Sequence, residues 1–390
     1  MRYSLPALPR LASRPTTAGL IALVFVATLL LLLYRFRTGD FGYTIGETLM
    51  NYSVGFYRRA LIGNLFLPFT GKTTLLTLLA LAYAGCLITP LVLIRRALSG
   101  NHHQWVPLGL LVAFLSPFGT LFYLKSVGSL KKELFFYPLF YALHVARSTY
   151  PRLTPLWMAA VIGLGSLIHE SFFFLFLPFL LAYAWLNEWV TWRGACLQAG
   201  VGVLTLGLLL LVPGNSATIT DRFVQQYVAL GFPKASFYYF EFYQKLTAAQ
   251  NLTLSVQHFR GTAPLLYFSL FVAQFWVARW LLTYFVGRPV FRQPRLLLLA
   301  LGSILGGVFC LCFIGMDYGR WLAMGFTVSV LLIASQLKAI RPVAPPRPVT
   351  HYVLLSLFLL GWGLLLRIPA YTVSTSIDRY DWFSVTNIFN

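Results

Sequence analysis

Long, uninterrupted runs of apolar residues limit what this chain can fold into more than any other feature. The first run, residues 17–34, carries no charged side chain and is long enough to cross a bilayer as a helix. In hydrocarbon every backbone polar group must pair internally, so each run is a helix or a strand of a closed barrel. Barrel strands alternate apolar and polar residues over about ten positions, and these runs do not. The sequence therefore predicts an all-α, polytopic integral membrane helical bundle.

The composition supports the same class, because 58% of the 390 residues are apolar and only 10% are charged. Soluble domains carry about 25% charged residues. No separate soluble domain is visible, so we expect residues 1–390 to form a single transmembrane domain. The pattern predicts about eleven transmembrane helices, near 17–34, 73–94, 105–124, 133–147, 155–168, 172–187, 196–213, 262–286, 296–315, 321–337 and 351–367.

The distribution of lysine and arginine between the predicted spans indicates an orientation. Basic residues are densest in the loops that lie inside when the N-terminus is inside, as the positive-inside rule requires. Nine of the ten acidic residues fall in the segments that this topology places outside. The first outer segment is then 35–72 and the long outer loop is 214–261. An odd number of spans puts the C-terminal tail, 368–390, outside as well.

The formal net charge of +20 does not indicate a nucleic-acid partner. The basic residues stand in twos and threes between apolar runs, which is how membrane proteins anchor their loops. No spacing of a zinc site, a disulfide framework, a phosphate-binding loop or a dinucleotide fingerprint is present. The sequence therefore predicts no metal and no cofactor, and excludes a soluble enzyme.

Two groups of basic residues are candidates for binding phosphate on the outer side. Arg58 and Arg59 stand together in the first outer segment, and a guanidinium fork matches the oxygens of a phosphate. The alternative is that both arginines extend to the interface. Lys131 belongs to a second outer turn, residues 125–133, for which a solvated turn between two helices is the competing interpretation.

Two further polar groups interrupt apolar segments. His169 and Glu170 separate the fifth and sixth predicted spans, and burying such a pair is costly unless it is paired or lines a wet cavity. Either could accept a proton from a sugar hydroxyl, or Glu170 could only complete the start of the next helix. Asp317 and Arg320 are three residues apart, which allows a local ion pair or a second phosphate site at Arg320.

The long outer loop contains an aromatic run, residues 237–243, with Tyr239 inside it. Aromatic rings with polar edges stack on sugars, and they also sit at membrane interfaces. Tyr239 is therefore a candidate sugar-binding residue, with interface anchoring as the alternative.

Three of these stretches resemble bacterial O-antigen and capsule polymerases of the Wzy type. They are residues 51–66 (NYSVGFYRRALIGNLF), the His169–Glu170 turn and residues 317–321 (DYGRW). The resemblance implies a multi-pass protein of the bacterial inner membrane. It would act on the outer face, on oligosaccharides linked through pyrophosphate to a polyprenyl lipid, beside other polysaccharide-assembly proteins. It would need neither nucleotide sugars nor a metal.

The resemblance also implies a division of roles among the candidate residues. The aromatic outer loop would position the sugars. The pyrophosphate leaving group would be held by Arg58, Arg59 and Arg320. The proton of the attacking hydroxyl would pass to one of His169, Glu170 and Asp317.

Three other functions remain open from the sequence. A glycosyltransferase using a polyprenyl-phosphate sugar would also keep acidic residues in the first outer segment, where Asp40 and Glu47 lie without forming an adjacent pair. A lipid-linked oligosaccharide flippase would need a polar path through the whole membrane. A non-catalytic subunit would need neither. The enzymatic interpretations require the polar groups to meet in one hollow.

Overall fold

A computed structural model describes most of the chain. The described ranges are 14–38, 42–54, 59–99, 106–125, 129–211, 217–237, 248–259, 263–285, 287–315, 317–341 and 349–365.

The chain is predominantly α-helical, as its apolar runs predict. The α-helices are α1 (Arg14–Thr38), α2 (Gly42–Leu49), α3 (Leu61–Phe66), α4 (Lys72–Ser99), α5 (Val106–Leu115), α6 (Thr120–Lys125), α7 (Phe136–Thr149), α8 (Thr154–Ile168), α9 (Leu177–Leu186), α10 (Trp192–Leu210), α11 (Ala217–Ala229), α12 (Ala248–Phe259), α13 (Ala263–Phe285), α14 (Pro294–Ile314), α15 (Tyr318–Gln336) and α16 (Val349–Leu365). Short 3₁₀ turns cover Tyr52–Val54, Lys132–Phe135, Pro151–Leu153 and Lys234–Phe237, and a π-helical turn covers Phe172–Phe176.

In the described part of the chain, seven helices are long and apolar enough to cross a membrane. They confirm the multi-pass helical membrane class, whereas the sequence predicts about eleven spans. Four predicted spans are not among the seven, because the described helices there are too short or divided. These spans are 105–124, 133–147, 172–187 and 351–367. The seven are Thr17–Thr38, Lys72–Leu98, Pro151–Ile168, Trp192–Leu210, Pro264–Leu281, Pro294–Ile314 and Tyr318–Gln336.

The predicted span 105–124 is broken into α5 and α6 by a tight turn at residues 116–119. The amide of Gly119 donates to the carbonyl of Ser116 at 2.7 Å. A Cβ at Gly119 would lie 2.2 Å from the carbonyl oxygen of Ala113, so no larger residue fits. The freed amide of Phe118 donates to the side chain of Gln274 in α13 at 3.2 Å. A neighbouring helix thus satisfies backbone that the break leaves open, as an apolar interior requires.

The first outer segment is folded into the bundle. Residues 35–72 are predicted to form a loop, but the structure places α2 and α3 within them. Ile45, Leu49 and Ile62 are buried in the main core. Gly63 makes this packing possible, because a Cβ there would lie 1.9 Å from the carbonyl oxygen of Met50. The described polar residues Glu47, Thr48 and Asn51 of this segment are buried with them.

Helix α15 is the central helix of the bundle. In the membrane-spanning part of α15, 83% of the residues are buried inside the protein, whereas the same share for α1 is 22%. Small residues let neighbouring helices approach α15 closely: a Cβ at Gly325 would lie 2.7 Å from Val308 in α14. Small residues at helix contacts are typical of membrane bundles. Because α15 begins at Tyr318, the Asp317–Arg320 corner lies at the end of the most buried helix.

One feature is not predicted by the sequence. Strands β1 (Arg288–Phe291) and β2 (Leu337–Arg341) form a two-stranded antiparallel sheet. It joins the start of α14 to the end of α15, and Arg288 pairs with Arg341 across it. The two segments that carry these strands are predicted as loops at the ends of helices. In the structure they are β-strands, because their backbones pair with each other.

The long outer loop, 214–261, is helical at both ends. Helix α11 packs on the first outer segment, where the Tyr227 hydroxyl donates to the carbonyl of Leu49 at 3.2 Å. The aromatic stretch with Tyr239 and the C-terminal tail, 368–390, lie outside the described residues.

Candidate functional site

Nine ionisable side chains meet at one end of the bundle. They come from five places: α2, the turn before α3, the segment before α7, the α8–π-turn junction and the start of α15. Four of them belong to the ten acidic residues of the whole chain. We call them the charge cluster. Its members are Glu47, Arg59, Lys131, Lys132, Glu133, His169, Glu170, Asp317 and Arg320.

Arg59 and Glu170 form a two-pronged ion pair at the edge of the cluster. The Nε atom of Arg59 donates to Oε2 of Glu170 at 2.7 Å, and Nη2 donates to Oε1. About a quarter of each side chain is exposed, 23% and 24%. This is the fork geometry with which a guanidinium recognises a carboxylate or a phosphate. The pair is thus both strongly oriented and reachable from outside.

Glu47 and Lys131 form the innermost pair. Their Oε2 and Nζ atoms are 3.0 Å apart, and both side chains are buried. Burial alone would raise the pKa of the Glu47 carboxyl, but Lys131, Lys132, His169 and Arg320 outweigh it and hold that pKa well below its usual range. Burial lowers the pKa of Lys131, and the Glu47 carboxylate partly opposes that shift. Glu47 therefore stays ionised.

Arg320 joins two carboxylates. Its Nη1 atom lies 3.1 Å from Oε1 of Glu133, which is fully buried, and Nη2 donates to Oδ2 of Asp317 at 2.5 Å. The Asp317 side chain is 33% exposed, whereas that of Arg320 is 4% exposed. The arginine is thus fixed from inside by Glu133 and covered at the rim by Asp317.

Lys132 binds backbone rather than a carboxylate. Its Nζ atom donates to the carbonyl of Arg59 at 2.7 Å and to that of Glu47 at 3.4 Å. Burial lowers the pKa of Lys132 to about 8, with Glu47 opposing the shift. Lys132 therefore ties the two polar parts of the first outer segment together.

His169 lies between the carboxylates with a defined tautomer. The backbone amide of Ser171 donates to its Nδ1 atom at 3.1 Å, so the neutral ring carries its proton on Nε2. Nε2 lies 3.5 Å from Oε1 of Glu133 and 3.9 Å from Oε1 of Glu47. Burial lowers the pKa of His169 despite these carboxylates. In this arrangement His169 presents a proton to the carboxylates and keeps no free lone pair.

The described members of the charge cluster balance one another. Four cations face four carboxylates, and the imidazole is neutral, so the formal charge sums to zero. A balanced set is what makes so many buried charges tolerable in an apolar surrounding. The members that reach the rim are Arg59, Glu170 and Asp317. These three side chains are the members of the cluster that a molecule from outside can contact, and the interior pairs hold them in place.

The first outer segment is braced by hydrogen bonds directly after Glu47. The hydroxyl of Thr48 in α2 and that of Tyr83 in α4 are hydrogen-bonded at 2.5 Å. Asn51 donates to the Tyr227 hydroxyl of α11 at 3.3 Å, and its side-chain oxygen accepts from the amide of Ser53 at 2.9 Å. These contacts fix the backbone that follows Glu47.

Six of the site residues predicted from the sequence are brought together in the charge cluster. These six are Arg59, Lys131, His169, Glu170, Asp317 and Arg320. Two others, Arg58 and Tyr239, lie outside the described residues.

Three members of the cluster are not on the predicted list: Glu47, Lys132 and Glu133. Each stands in a stretch that the sequence analysis names, and each is nearly or fully buried at 3%, 1% and 0% exposure. The sequence feature that could have singled out Glu47 and Glu133 is the rarity of carboxylates in this chain. Within the described ranges, no three His, Cys, Asp or Glu side chains are placed to hold a metal ion. Each carboxylate of the cluster faces a cation instead.

Comparison of the chain with protein-family models, with characterised proteins and with solved structures finds no match. Inference about function therefore depends on the site itself.

Proposed function

We propose that this chain is a membrane transferase that joins saccharides carried on a polyprenyl pyrophosphate, as in the polymerisation step of surface polysaccharide synthesis. It would act at the outer face of a bacterial inner membrane, with the N-terminus inside and the C-terminus outside. The observation that carries the proposal is the convergence of four cations and four carboxylates, from five distant segments, at one end of a lipid-embedded bundle. A purely structural clasp needs one pair and not nine groups.

The cations suit a pyrophosphate leaving group. Arg59 and Arg320 present guanidinium groups whose geometry fits phosphate oxygens in pairs. Lys131 and Lys132 add positive charge behind them, and buried contacts hold Lys131, Lys132 and Arg320 in place. Charge that is already oriented stabilises a developing anion without reorganisation. This favours departure of the pyrophosphate when the sugar bond breaks.

The carboxylates at the rim suit a general base. A phosphate that binds Arg59 displaces Glu170 from it, and the freed carboxylate can accept the proton of the attacking hydroxyl. Asp317 stands in the same relation to Arg320. In the reaction the acceptor oxygen bonds to the anomeric carbon, the carbon–oxygen bond to pyrophosphate breaks, and its electron pair leaves with the pyrophosphate. His169, with its proton on Nε2 directed at Glu133, is a positioning residue in this scheme.

A second candidate uses the same site with a polyprenyl-phosphate monosaccharide as donor. The presence of Glu47 at the centre of the cluster favours it, because acidic residues after the first span are expected for such transferases. The product separates the two reactions. A polymerase yields a ladder of chain lengths, whereas a monosaccharide transferase yields a single addition.

The test is incubation of the purified protein with lipid-linked repeat units, followed by separation of products by length. We expect a ladder from the natural chain and its loss in Arg59→Gln and Glu170→Gln. Arg193→Gln is the matched control, because Arg193 is an exposed cation at the start of α10.

Two outcomes would refute the proposal. One is the absence of any ladder from a substrate that a known polymerase extends. The other is a ladder that Arg59→Gln and Glu170→Gln leave unchanged, which would indicate a non-catalytic subunit. A flippase would instead cause lipid-linked units to accumulate on the inner face of cells that lack the protein.

A further inference from the structure

A cavity of about 350 Å³ opens between the end of α1 and the start of α4, apart from the charge cluster. Leucines form its apolar walls, and basic and hydroxyl side chains form the rest. The lining residues are Leu33, Arg37, Lys72, Thr73, Leu76 and Thr77.

The polar part of this cavity suits an anion. Arg37 and Lys72 come from two different helices, and the hydroxyls of Thr73 and Thr77 stand beside them. No acidic residue lines the cavity, and across the described ranges neither cation lies in an ion pair with a carboxylate. Lys72 does contact the ring of Phe232, with Nζ at 5.6 Å from its centre. Unlike the described charge cluster, the described lining residues of this cavity carry a net positive charge.

The apolar part of the cavity adjoins the exposed apolar surface of α1. Helix α1 buries only 22% of its predicted span, and its side chains Leu30 and Tyr34 are 61% and 60% exposed. Leu33, on the same helix, forms part of the cavity wall. A ligand with an anionic head and an apolar tail could thus place its head between the cations and its tail along α1. Basic residues near the surface attract anionic lipids in this way.

We propose that this cavity binds the phosphate headgroup of a membrane lipid. The site is distinct from the charge cluster. Tyr83, the α4 residue that contacts the Glu47 segment through Thr48, lies eleven residues beyond Lys72, which is about 16 Å along a helix. The proposal does not depend on the transferase function. It assigns to this chain a lipid site between its first two long helices.

Binding can be measured with short-chain lipids and purified protein in a neutral detergent. We expect dioctanoyl phosphatidic acid to bind and the double variant Arg37→Gln/Lys72→Gln to weaken its apparent affinity by tenfold or more. Arg152→Gln/Arg193→Gln is the matched control, because both arginines are exposed cations at other helix ends.

Further arms identify the source of the phosphate and guard against misfolding. Inorganic phosphate at the same concentration should not compete, and dioctanoylglycerol, which lacks the phosphate, should not bind. Lys72→Arg keeps the charge and should keep the affinity even if the double variant folds poorly. Equal binding by the double variant and the natural chain would overturn the proposal, as would equal binding of dioctanoylglycerol. Competition by inorganic phosphate would show that the cavity binds a free anion and not a lipid headgroup.

Discussion

The exposed carboxylates of the charge cluster are each bound to an arginine, so a phosphate ligand must compete with the protein's own side chain. Glu170 occupies the fork of Arg59, and Asp317 covers Arg320. The resting site thus resembles one already occupied by an anion. Removal of one carboxylate should therefore affect binding and turnover in opposite directions.

Glu170→Gln tests this opposition. The amide leaves the Arg59 fork more readily and removes one negative charge, so we expect a pyrophosphate-bearing polyprenyl ligand to bind several-fold more tightly. Turnover should fall by about 10²–10⁴, the usual contribution of a general base. Binding is read from ligand-induced thermal stabilisation, and turnover from product ladders. Glu188→Gln, a carboxylate outside the cluster, serves as control. Weaker ligand binding by Glu170→Gln would contradict this account.

Lys132 should give the protein a characteristic dependence on alkaline pH. Burial lowers its pKa to about 8, whereas an unfolded chain keeps that proton up to about pH 10.4. Between these values the unfolded state binds more protons, so this lysine makes stability rise with pH.

The measurement is the apparent unfolding midpoint from pH 7 to 10, compared with Lys132→Gln. The natural chain should gain on the variant above pH 8, by an amount that reaches at most about 3 kcal/mol. Lys338→Gln, which removes an exposed lysine, should run parallel to the natural chain. A gap that stays constant over this range would show that Lys132 keeps an ordinary pKa.

Sequence reasoning finds individual polar residues more readily than it finds their partners. His169, Glu170, Asp317 and Arg320 stand out because they interrupt apolar runs, where a charge is costly. Glu133 does not stand out, because Lys131 and Lys132 precede it and the three read as a solvated turn. Which side chains pair depends on how distant helices pack, and no local pattern encodes that.

Among the elements, the π-helical turn Phe172–Phe176 depends on close contact with α14. A Cβ at Gly307 would lie 1.7 Å from the carbonyl oxygen of Phe174, whereas one at Gly306 would meet nothing within 4 Å. This contact holds the turn that directly follows His169 and Glu170. The two neighbouring glycines therefore offer a matched pair of substitutions.

Gly307→Ala should lower stability by about 1–3 kcal/mol, the usual cost of overpacking, and should also reduce transfer activity. Gly306→Ala should have little effect on either, apart from a slight gain in helix stability, because alanine favours helices. Thermal unfolding in detergent and the product ladder report the two quantities. Equal effects from both substitutions would mean that the close approach of α14 has no role.

The sequence predicts the long helices well and the broken ones poorly. A run such as that of α14 is apolar throughout, so its helix follows from the membrane alone. The break at residues 116–119 relies on a hydrogen bond from the Phe118 amide to Gln274 of α13, and α2 enters the bundle through contacts with α4 and α11. Partners of this kind are supplied by the fold, and a window of sequence does not contain them.

For the whole molecule, the orientation in the membrane stays a prediction from the distribution of basic residues. It places Lys234, in the 3₁₀ turn after α11, on the outer side of the membrane and Lys338, in β2, on the inner side. Both lysines are exposed, so each can be replaced by cysteine in a variant without the four native cysteines.

A membrane-impermeant thiol reagent applied to intact cells should label the cysteine at position 234 and not the one at 338. Broken cells, in which both faces are open, provide the control for reactivity. The reverse pattern would place the charge cluster at the inner face and would remove the support for polymerisation on the outer leaflet.

The charge balance of the site has a consequence for how the protein is assembled during synthesis. Up to residue 170 the emerging chain has supplied three cations and three carboxylates of the cluster, all of them before α9 is complete. Asp317 and Arg320 arrive much later, already joined as neighbours one helical turn apart. The nascent bundle is therefore electrically neutral at this place before α15 inserts and remains so afterwards. The central helix, which brings the last residues of the cluster, can enter without carrying an uncompensated charge into the lipid.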